Sequence, residues 1–329
     1  MKWQKKNVLV TGAGGFIGSH LVDALLLSGA DVCAFVHYNA RNDWGMLEGR
    51  YHEKTPDLTV IAGDVSDALF VKKAVEGKEF VFHLAALIGI PYSYTAPESY
   101  VNTNIKGTLN VMQACLDAGV KRVVHTSTSE VYGTALYTPI DEKHPLQGQS
   151  PYSATKIGAD KIAESFYCSF GLPVTTIRPF NTYGPRQSAR AVIPTIITQA
   201  LTSDTVRLGS LTPVRDLTYV ADTVQGFLRI AESEGVIGKT LNTGSGQGIS
   251  IGELADRIIA IANPKATIVF EMGRIRPEKS EVMKLVCDNT LVQETTGWKP
   301  RHTLDEGLRA TIDWMKDHLP AYKSGVYTV

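Results

Sequence analysis

A chain of 329 residues, 43% apolar and 20% charged, is long enough to bury a sizeable core, which excludes disorder, collagen and coiled coil. Thirty-three basic side chains balance thirty-three acidic ones, and basic runs stop at pairs such as Lys5-Lys6, so no nucleic-acid partner is expected. The longest apolar runs, such as Val8 to Val10 and Leu25 to Leu27, fall far short of the roughly 20 residues that span a bilayer, so no membrane partner is expected either.

The basic start Met1 to Asn7 runs into a strand pattern without a signal peptide's apolar segment, and the expectation is a cytoplasmic protein. Asn7 to Thr11 reads as a buried strand, Gly12 to Gly18 as a tight turn, and Phe16 to Leu27 as a helix closed by Gly29. Apolar runs at Val32 to Val36, Leu58 to Ile61, Phe80 to Leu84, Val123 to Thr126 and Val174 to Ile177 predict further strands, with helical patterns between most of them. Such alternation predicts an α/β fold with a doubly wound parallel sheet of Rossmann type. Ser150 as N-cap and Pro151 at the first helical position open a helix that runs to Phe170 and stops at Gly171. Past Phe180 the pattern loosens, although Ser250 to Glu253 and Thr303 to Glu306 fit capping boxes. A dinucleotide-binding domain over residues 1–178 and a smaller α/β substrate domain over residues 179–329 are expected, with elements of the second returning to the first and a cleft between them. Cys33, Cys115, Cys168 and Cys287 form no CxxC pair and have no histidine at metal-ligand spacing, so buried reduced thiols and no metal site are expected.

Gly12, Gly15 and Gly18 are spaced so that the backbone turns sharply, approaches a pyrophosphate, and offers it the N-terminus of the helix opened by Phe16 and Ile17. Alone, such a turn also fits a loop with no ligand. Tyr152 and Lys156 stand four apart on one helix face, where an ammonium lowers a phenol pKa from about 10 toward neutrality and readies it to take a hydroxyl proton. Thr128, just past the strand Val123 to Thr126, brings a hydroxyl toward the same oxygen.

These residues, with Asp64-Val65, His83 to Ala86 and Asn104 to Thr108, resemble the extended short-chain dehydrogenase/reductase family over nearly the whole chain. The resemblance implies an NAD(P) cofactor held by Gly12, Gly15, Phe16, Ile17, Gly18, Asp64, Val65, Leu84, Ala85, Ala86 and Asn104, together with Tyr152 and Lys156. It further implies that Thr128, Tyr152 and Lys156 oxidise a sugar hydroxyl at C4. Glu130 stands two residues after Thr128, where 4-epimerases of the family usually carry an apolar residue, and this points to the nucleotide-sugar 4,6-dehydratases. A C4 ketone makes the C5 proton acidic, a carboxylate removes it as C6 loses its hydroxyl, and hydride then returns to C6. Many 4,6-dehydratases carry aspartate at the position of Ser129. A hydroxyl is a poor acid, so Ser129 relays a proton, orients the C6 hydroxyl, or leaves both steps to Glu130.

Within the family, Ser93, Asn181, Arg215 and Arg276 fall where relatives hold the nucleotide sugar; arginine's planar fork suits a diphosphate, although any one arginine alone also fits a surface ion pair. Thr128 to Gly133, His144 to Tyr152 and Arg276 to Val282 are most similar to the dehydratases of legionaminic-type sugar synthesis, implying UDP- or GDP-N-acetylglucosamine as substrate. The end of the second strand lacks the acid that meets an NAD ribose, and His37 and Arg41 there favour NADP's 2′-phosphate, unless Arg41 is solvated and a main-chain amide meets the ribose. UDP-glucuronate decarboxylases share the TSEVYG string but place an arginine shortly before the catalytic tyrosine, where this chain has Gln149-Ser150-Pro151. A cofactor-sensing Rossmann regulator would not need the intact Thr128, Glu130, Tyr152 and Lys156. Relatives dimerise through the helices near Asn104 to Leu116 and Ser150 to Phe170, and a homodimer is expected.

Overall fold

The computed structural model describes residues 2–51, 55–275 and 277–322. Its strands in chain order are β1 (Asn7–Thr11), β2 (Asp31–His37), β3 (Leu58–Gly63), β4 (Phe80–His83), β5 (Arg122–Thr126), β6 (Val174–Pro179), β7 (Asn181–Tyr183), β8 (Thr205–Leu208), β9 (Val214–Tyr219), β10 (Thr240–Thr243), β11 (Gly248–Ser250) and β12 (Thr267–Phe270). Seven of them form one sheet in the order β10-β6-β5-β4-β1-β2-β3, parallel throughout. The order reverses between β1 and β4, so the ends of these two strands border the crevice in which open α/β sheets take their ligands.

The sheet is covered on both faces, and for that reason its strands are continuous apolar runs rather than alternating ones. In β1, Val8 and Val10 point into a core with Leu21, Leu25, Phe82 and Phe227, while Leu9 between them points into a core with Phe35, Val81, Val111 and Cys115. Expected and observed strands agree to within two residues at each end. The seventh, β10, was not expected: Thr240-Leu241-Asn242-Thr243 carries a single large apolar side chain, and its pairing with β6 rather than its own pattern makes it a strand. Behind it the Val220–Glu232 helix packs Val224 and Phe227 into the first core.

The remaining C-terminal elements build a smaller layer, with β11-β9-β7 and β12-β8 around Ile196, Ile197, Leu254, Ile258, Leu308 and Ile312. Both expected capping boxes are present, Ser250 with Glu253 and Thr303 with Glu306. The layer is pinned to the Phe16–Leu27 helix by Arg186, which donates to Ser19 Oγ at 3.1 Å and to Asp23 Oδ2 at 2.6 Å. Cys33, Cys115 and Cys287 are buried free thiols; Cys168 is not, because it lies on the solvent face of the Pro151–Phe170 helix. Among the described residues no helix is long and apolar enough to cross a membrane.

Candidate functional site

Gly12 adopts φ +70°, and a Cβ there would stand 2.8 Å from Ala85 N; a Cβ on Gly18 would stand 2.2 Å from Gly12 O. The turn after β1 is therefore pressed against the chain after β4 and against its own helix. Gly15 caps that helix with no side-chain hydrogen bond, and no acid occupies its first turn. The N–H groups opened by Phe16 and Ile17 thus meet no fixed carboxylate, as a pyrophosphate cradle requires. Thr11 Oγ1 accepts from Leu84 N and Ala85 N, each at 3.1 Å, and sets the Leu84 to Ala86 segment beside the turn.

At the end of β2, His37 and Arg41 are exposed. Asn39, which sequence reasoning passed over, closes this loop: its Oδ1 accepts from Arg41 N at 3.0 Å and Asp43 N at 3.1 Å. Asp64 accepts from Ser66 N at 2.8 Å, and Val65 is buried against Gly107. These residues and the glycine turn fit an NAD(P). Asn104 does so at one remove. Both of its amide hydrogens are used, on Leu87 O at 3.0 Å and Thr155 Oγ1 at 3.1 Å, and its Oδ1 accepts from Leu87 N at 2.9 Å. It braces the loop after β4 to the Pro151–Phe170 helix, from a π-helical turn (Val101–Lys106) where a plain helix was expected.

Thr128, Ser129 and Glu130 follow β5 in one short turn that Thr128 caps, accepting Glu130 N at 3.2 Å. Ser129 and Glu130 are buried, and so are Tyr152 and Lys156. Burial pushes the Tyr152 phenol well above its ordinary value; a hydrogen bond with Thr128 works against this, and the nearby Glu130 charge adds to it. The turn and the helix thus bring Thr128, Glu130 and Tyr152 together.

Lys156 departs from expectation. Its Nζ donates to Thr126 O at 2.7 Å rather than turning to the phenol, and burial draws it down to about 8, opposed by Asp160. The four-residue spacing puts the two side chains on one helix face, and that of Lys156 extends to the end of β5. Tyr100, also unread from the sequence, sets its ring edge-on to Tyr152 at 6.3 Å and donates to Gly89 O at 2.5 Å. A second layer lies beneath: His83, noted from the sequence only as part of the resemblance, and His125, Ser127, Asp160 and Arg178, which carry no role there, are all buried. The signals were an acid four residues beyond Lys156 and histidines inside two neighbouring strands.

On the substrate side, Asn181 stands at the start of β7 with a buried Oδ1 that has no partner among the described residues. Ser93 is buried and already donates to Ile90 O at 2.7 Å. Arg215 is buried too and pairs with Glu281 at 3.1 Å, so it sits in an ion pair but not a surface one. Arg276 lies outside the described residues. Arg190, not singled out from the sequence, brings a guanidinium nitrogen to 3.3 Å from where a Gly89 Cβ would stand.

A crevice at the β1/β4 reversal, a glycine-rich anion cradle and a Thr-Tyr-Lys set define a dinucleotide-dependent enzyme class of the short-chain dehydrogenase type. A family model described as GDP-mannose 4,6 dehydratase matches residues 9–311. The chain is 31% identical to the dTDP-glucose 4,6-dehydratase of Streptomyces antibioticus, over 95% of this chain and 93% of that one. It is 32% identical to the UDP-N-acetyl-alpha-D-glucosaminuronate decarboxylase of Bacillus cytotoxicus, over 95% of this chain and 98% of that one. Among solved structures, a double mutant of DesIV, the dTDP-glucose 4,6-dehydratase of Streptomyces venezuelae, with NAD bound, is similar at TM-score 0.86 and 28% identity, over 96% of this chain and 98% of that one. The chain belongs to the GDP-mannose 4,6-dehydratase-like family of extended short-chain dehydrogenases/reductases, whose members include nucleotide-sugar dehydratases, epimerases and decarboxylases.

Proposed function

We propose that the chain is a nucleotide-sugar 4,6-dehydratase that converts UDP- or GDP-N-acetylglucosamine to the 4-keto-6-deoxy sugar and recycles its NAD(P). Glu130 carries this reading: it is a buried carboxylate on the turn that Thr128 caps, near enough to Tyr152 for its charge to act on the phenol. Oxidation and re-reduction at C4 alone need no second base; elimination across C5 and C6 does.

The dinucleotide supplies a hydride acceptor for C4 and a donor for C6. Thr128 orients the C4 hydroxyl and Tyr152 takes its proton, with the Lys156 ammonium behind it offsetting the phenolate charge. Glu130 then removes the C5 proton that the C4 ketone has made acidic and delivers a proton to the C6 hydroxyl, which Ser129 orients and which leaves as water; C5 takes up a proton again as hydride returns to C6. Asn181 offers its unpartnered oxygen to the substrate, and Arg215 and Arg276 hold the diphosphate. Arg41 and His37, exposed at an end of β2 that lacks an acid, support NADP over NAD.

Gln149 speaks against decarboxylation. Its Oε1 accepts Thr134 N at 2.5 Å and its Nε2 donates to Lys279 O at 3.1 Å, so the loop before Tyr152 presents a used amide rather than a cation for a uronate. The enzyme works in the cytoplasm as a homodimer, paired through the outer faces of the Gly107–Asp117 and Pro151–Phe170 helices, where Leu109 and Phe170 are exposed.

Incubation with UDP- and GDP-N-acetylglucosamine tests the reading: one should yield a product lighter by about 18 mass units, the water lost with the cofactor regenerated. Glu130→Gln keeps the shape and removes the base, so water loss should slow by roughly 10²–10⁴-fold. Elimination at the parent rate in this variant would overturn the assignment.

A further inference from the structure

Lys156 and Asp160 are four residues apart on the Pro151–Phe170 helix and share one of its faces, which is turned to the end of β5. Lys156 Nζ takes the Thr126 carbonyl at 2.7 Å, and Asp160 takes the side chains on either side of it, accepting from His125 Nε2 at 3.1 Å and Ser127 Oγ at 2.7 Å. From β6, Arg178 adds Nε at 3.2 Å and Nη2 at 3.0 Å. Four donors replace water around a carboxylate that is 4% exposed. Arg178 is held from behind, donating Nη1 to Tyr132 Oη at 2.9 Å, which in turn donates to Asn242 Oδ1 at 2.7 Å. β10, the strand its own sequence pattern did not reveal, thereby closes the chain of contacts.

The other titratable groups around the pair are assigned by the same bonds. His125 donates through Nε2 to Asp160, its Nδ1 has no partner among the described residues, and burial lowers its pKa. His83, stacked on it at 5.8 Å, faces Thr108 Oγ1, whose own hydrogen goes to Asn104 O. His83 therefore donates from Nε2, its Nδ1 lies 2.8 Å from Thr11 Oγ1, and burial holds its pKa well below the ordinary value, so it is neutral. Burial pushes the phenols of Tyr132, Tyr152 and Tyr100 up, and they too are neutral. Beside Glu130 near the phenol, the charges around Lys156 are Asp160 and, beyond it, Arg178.

We propose that Asp160 is a positioning residue for Lys156: a carboxylate locked by four donors one helical turn beyond the ammonium, it keeps the buried lysine charged and so sets the alkaline limit of the oxidation at Tyr152. The proposal rests on the role given to Lys156 under the function above. Burial works to discharge Lys156, and Asp160 is the charge that opposes it.

The pH profile of kcat tests this in Asp160→Asn, in Asp160→Asn combined with Arg178→Gln, and in Arg178→Gln alone. The double variant is needed because Asp160→Asn leaves a buried guanidinium without its carboxylate, and that alone can unfold a protein. Removing a close opposite charge moves a pKa by about one to three units. The alkaline limb should therefore fall by at least about one unit in both variants that lack Asp160, a roughly tenfold loss at pH 8 relative to pH 6.5. Arg178→Gln, which frees the carboxylate from a competing cation, should leave the limb at or above its parent position. The Lys156 signal of 13C-lysine-labelled protein, assigned through Lys156→Met, should titrate in step. Folded variants that lose activity equally at all pH values, with that signal unmoved, would make Asp160 a structural residue and overturn the proposal, as would failure of both variants to fold. A parent protein that turns over no nucleotide sugar defeats the functional reading instead, and the lysine titration then decides this one.

Discussion

Lys156 is 3% exposed, and its ammonium rests on one carbonyl oxygen. Burial lowers its pKa from the ordinary lysine value of 10.5 to about 8. Because the unfolded chain holds that proton more tightly than the folded one, the charged lysine costs stability. The cost is complete below about pH 8 and vanishes as pH rises past the unfolded value near 10.5. A shift of this size corresponds to about 3 kcal/mol, from which a lost hydrogen bond of about 1 kcal/mol must be subtracted when the side chain is replaced. Lys156→Met should therefore stabilise the protein by about 2 kcal/mol at pH 7, lose that advantage near pH 10.5, and be inactive at both. Urea unfolding at the two pH values checks it, and equal stabilities of parent and variant at pH 7 would show that the ammonium is not desolvated. Under the proposed function Tyr152, where burial also dominates, needs the charge that Lys156 keeps at this cost, so the two residues would trade stability for reactivity.

Between the strands the groups that matter sit on turns, and each turn is fixed by a neighbour. The loop after β2 is closed by Asn39 from within, which leaves the Arg41 side chain exposed at the open end of the strand. Arg41→Ala should thus weaken NADP binding by about 1.5–3 kcal/mol, the range for a hydrogen bond to a charged group, and leave NAD binding nearly unchanged. Dissociation constants for both cofactors decide it, and equal losses would return Arg41 to solvent. What could be read from the sequence follows from the same division. Parallel strands buried on both faces are unbroken apolar runs, so β1 to β6 could be read, and the Gly12, Thr128, Tyr152 and Lys156 spacings lie within single turns or one helix face. β10 has one large apolar residue and takes its place from β6; Asp160 and Arg178 look like surface charges until β5 and β6 lie side by side. The resemblance places Asn104 among the cofactor residues, but no sequence pattern tells that its amide is already engaged by Leu87 and Thr155.

At the scale of the molecule, the C-terminal half both completes the large sheet and builds the smaller layer beside it. β10 extends the large sheet, Arg186 fastens the smaller layer to the Phe16–Leu27 helix, and Asn181 stands at the start of β7 with a buried oxygen that has no partner among the described residues. Under the proposed function a single sugar would stay in place through oxidation, elimination and reduction, since the groups assigned to these steps lie at the ends of β5 and β7 and on one helix. With substrate deuterated at C4, the label should therefore reappear at C6 of the same product molecule. Mixing deuterated and unlabelled substrates asks more of the fold. If the reduced cofactor and the intermediate stay together, an equal mixture in which the unlabelled sugar carries 13C should give products that are either deuterated or 13C-labelled, with fewer than about one in ten carrying both. Mass spectrometry of the product reads this directly. Free crossover of deuterium into 13C product would show a site that opens between steps, and accumulation of one reduced cofactor per turnover would overturn the recycled-cofactor reading.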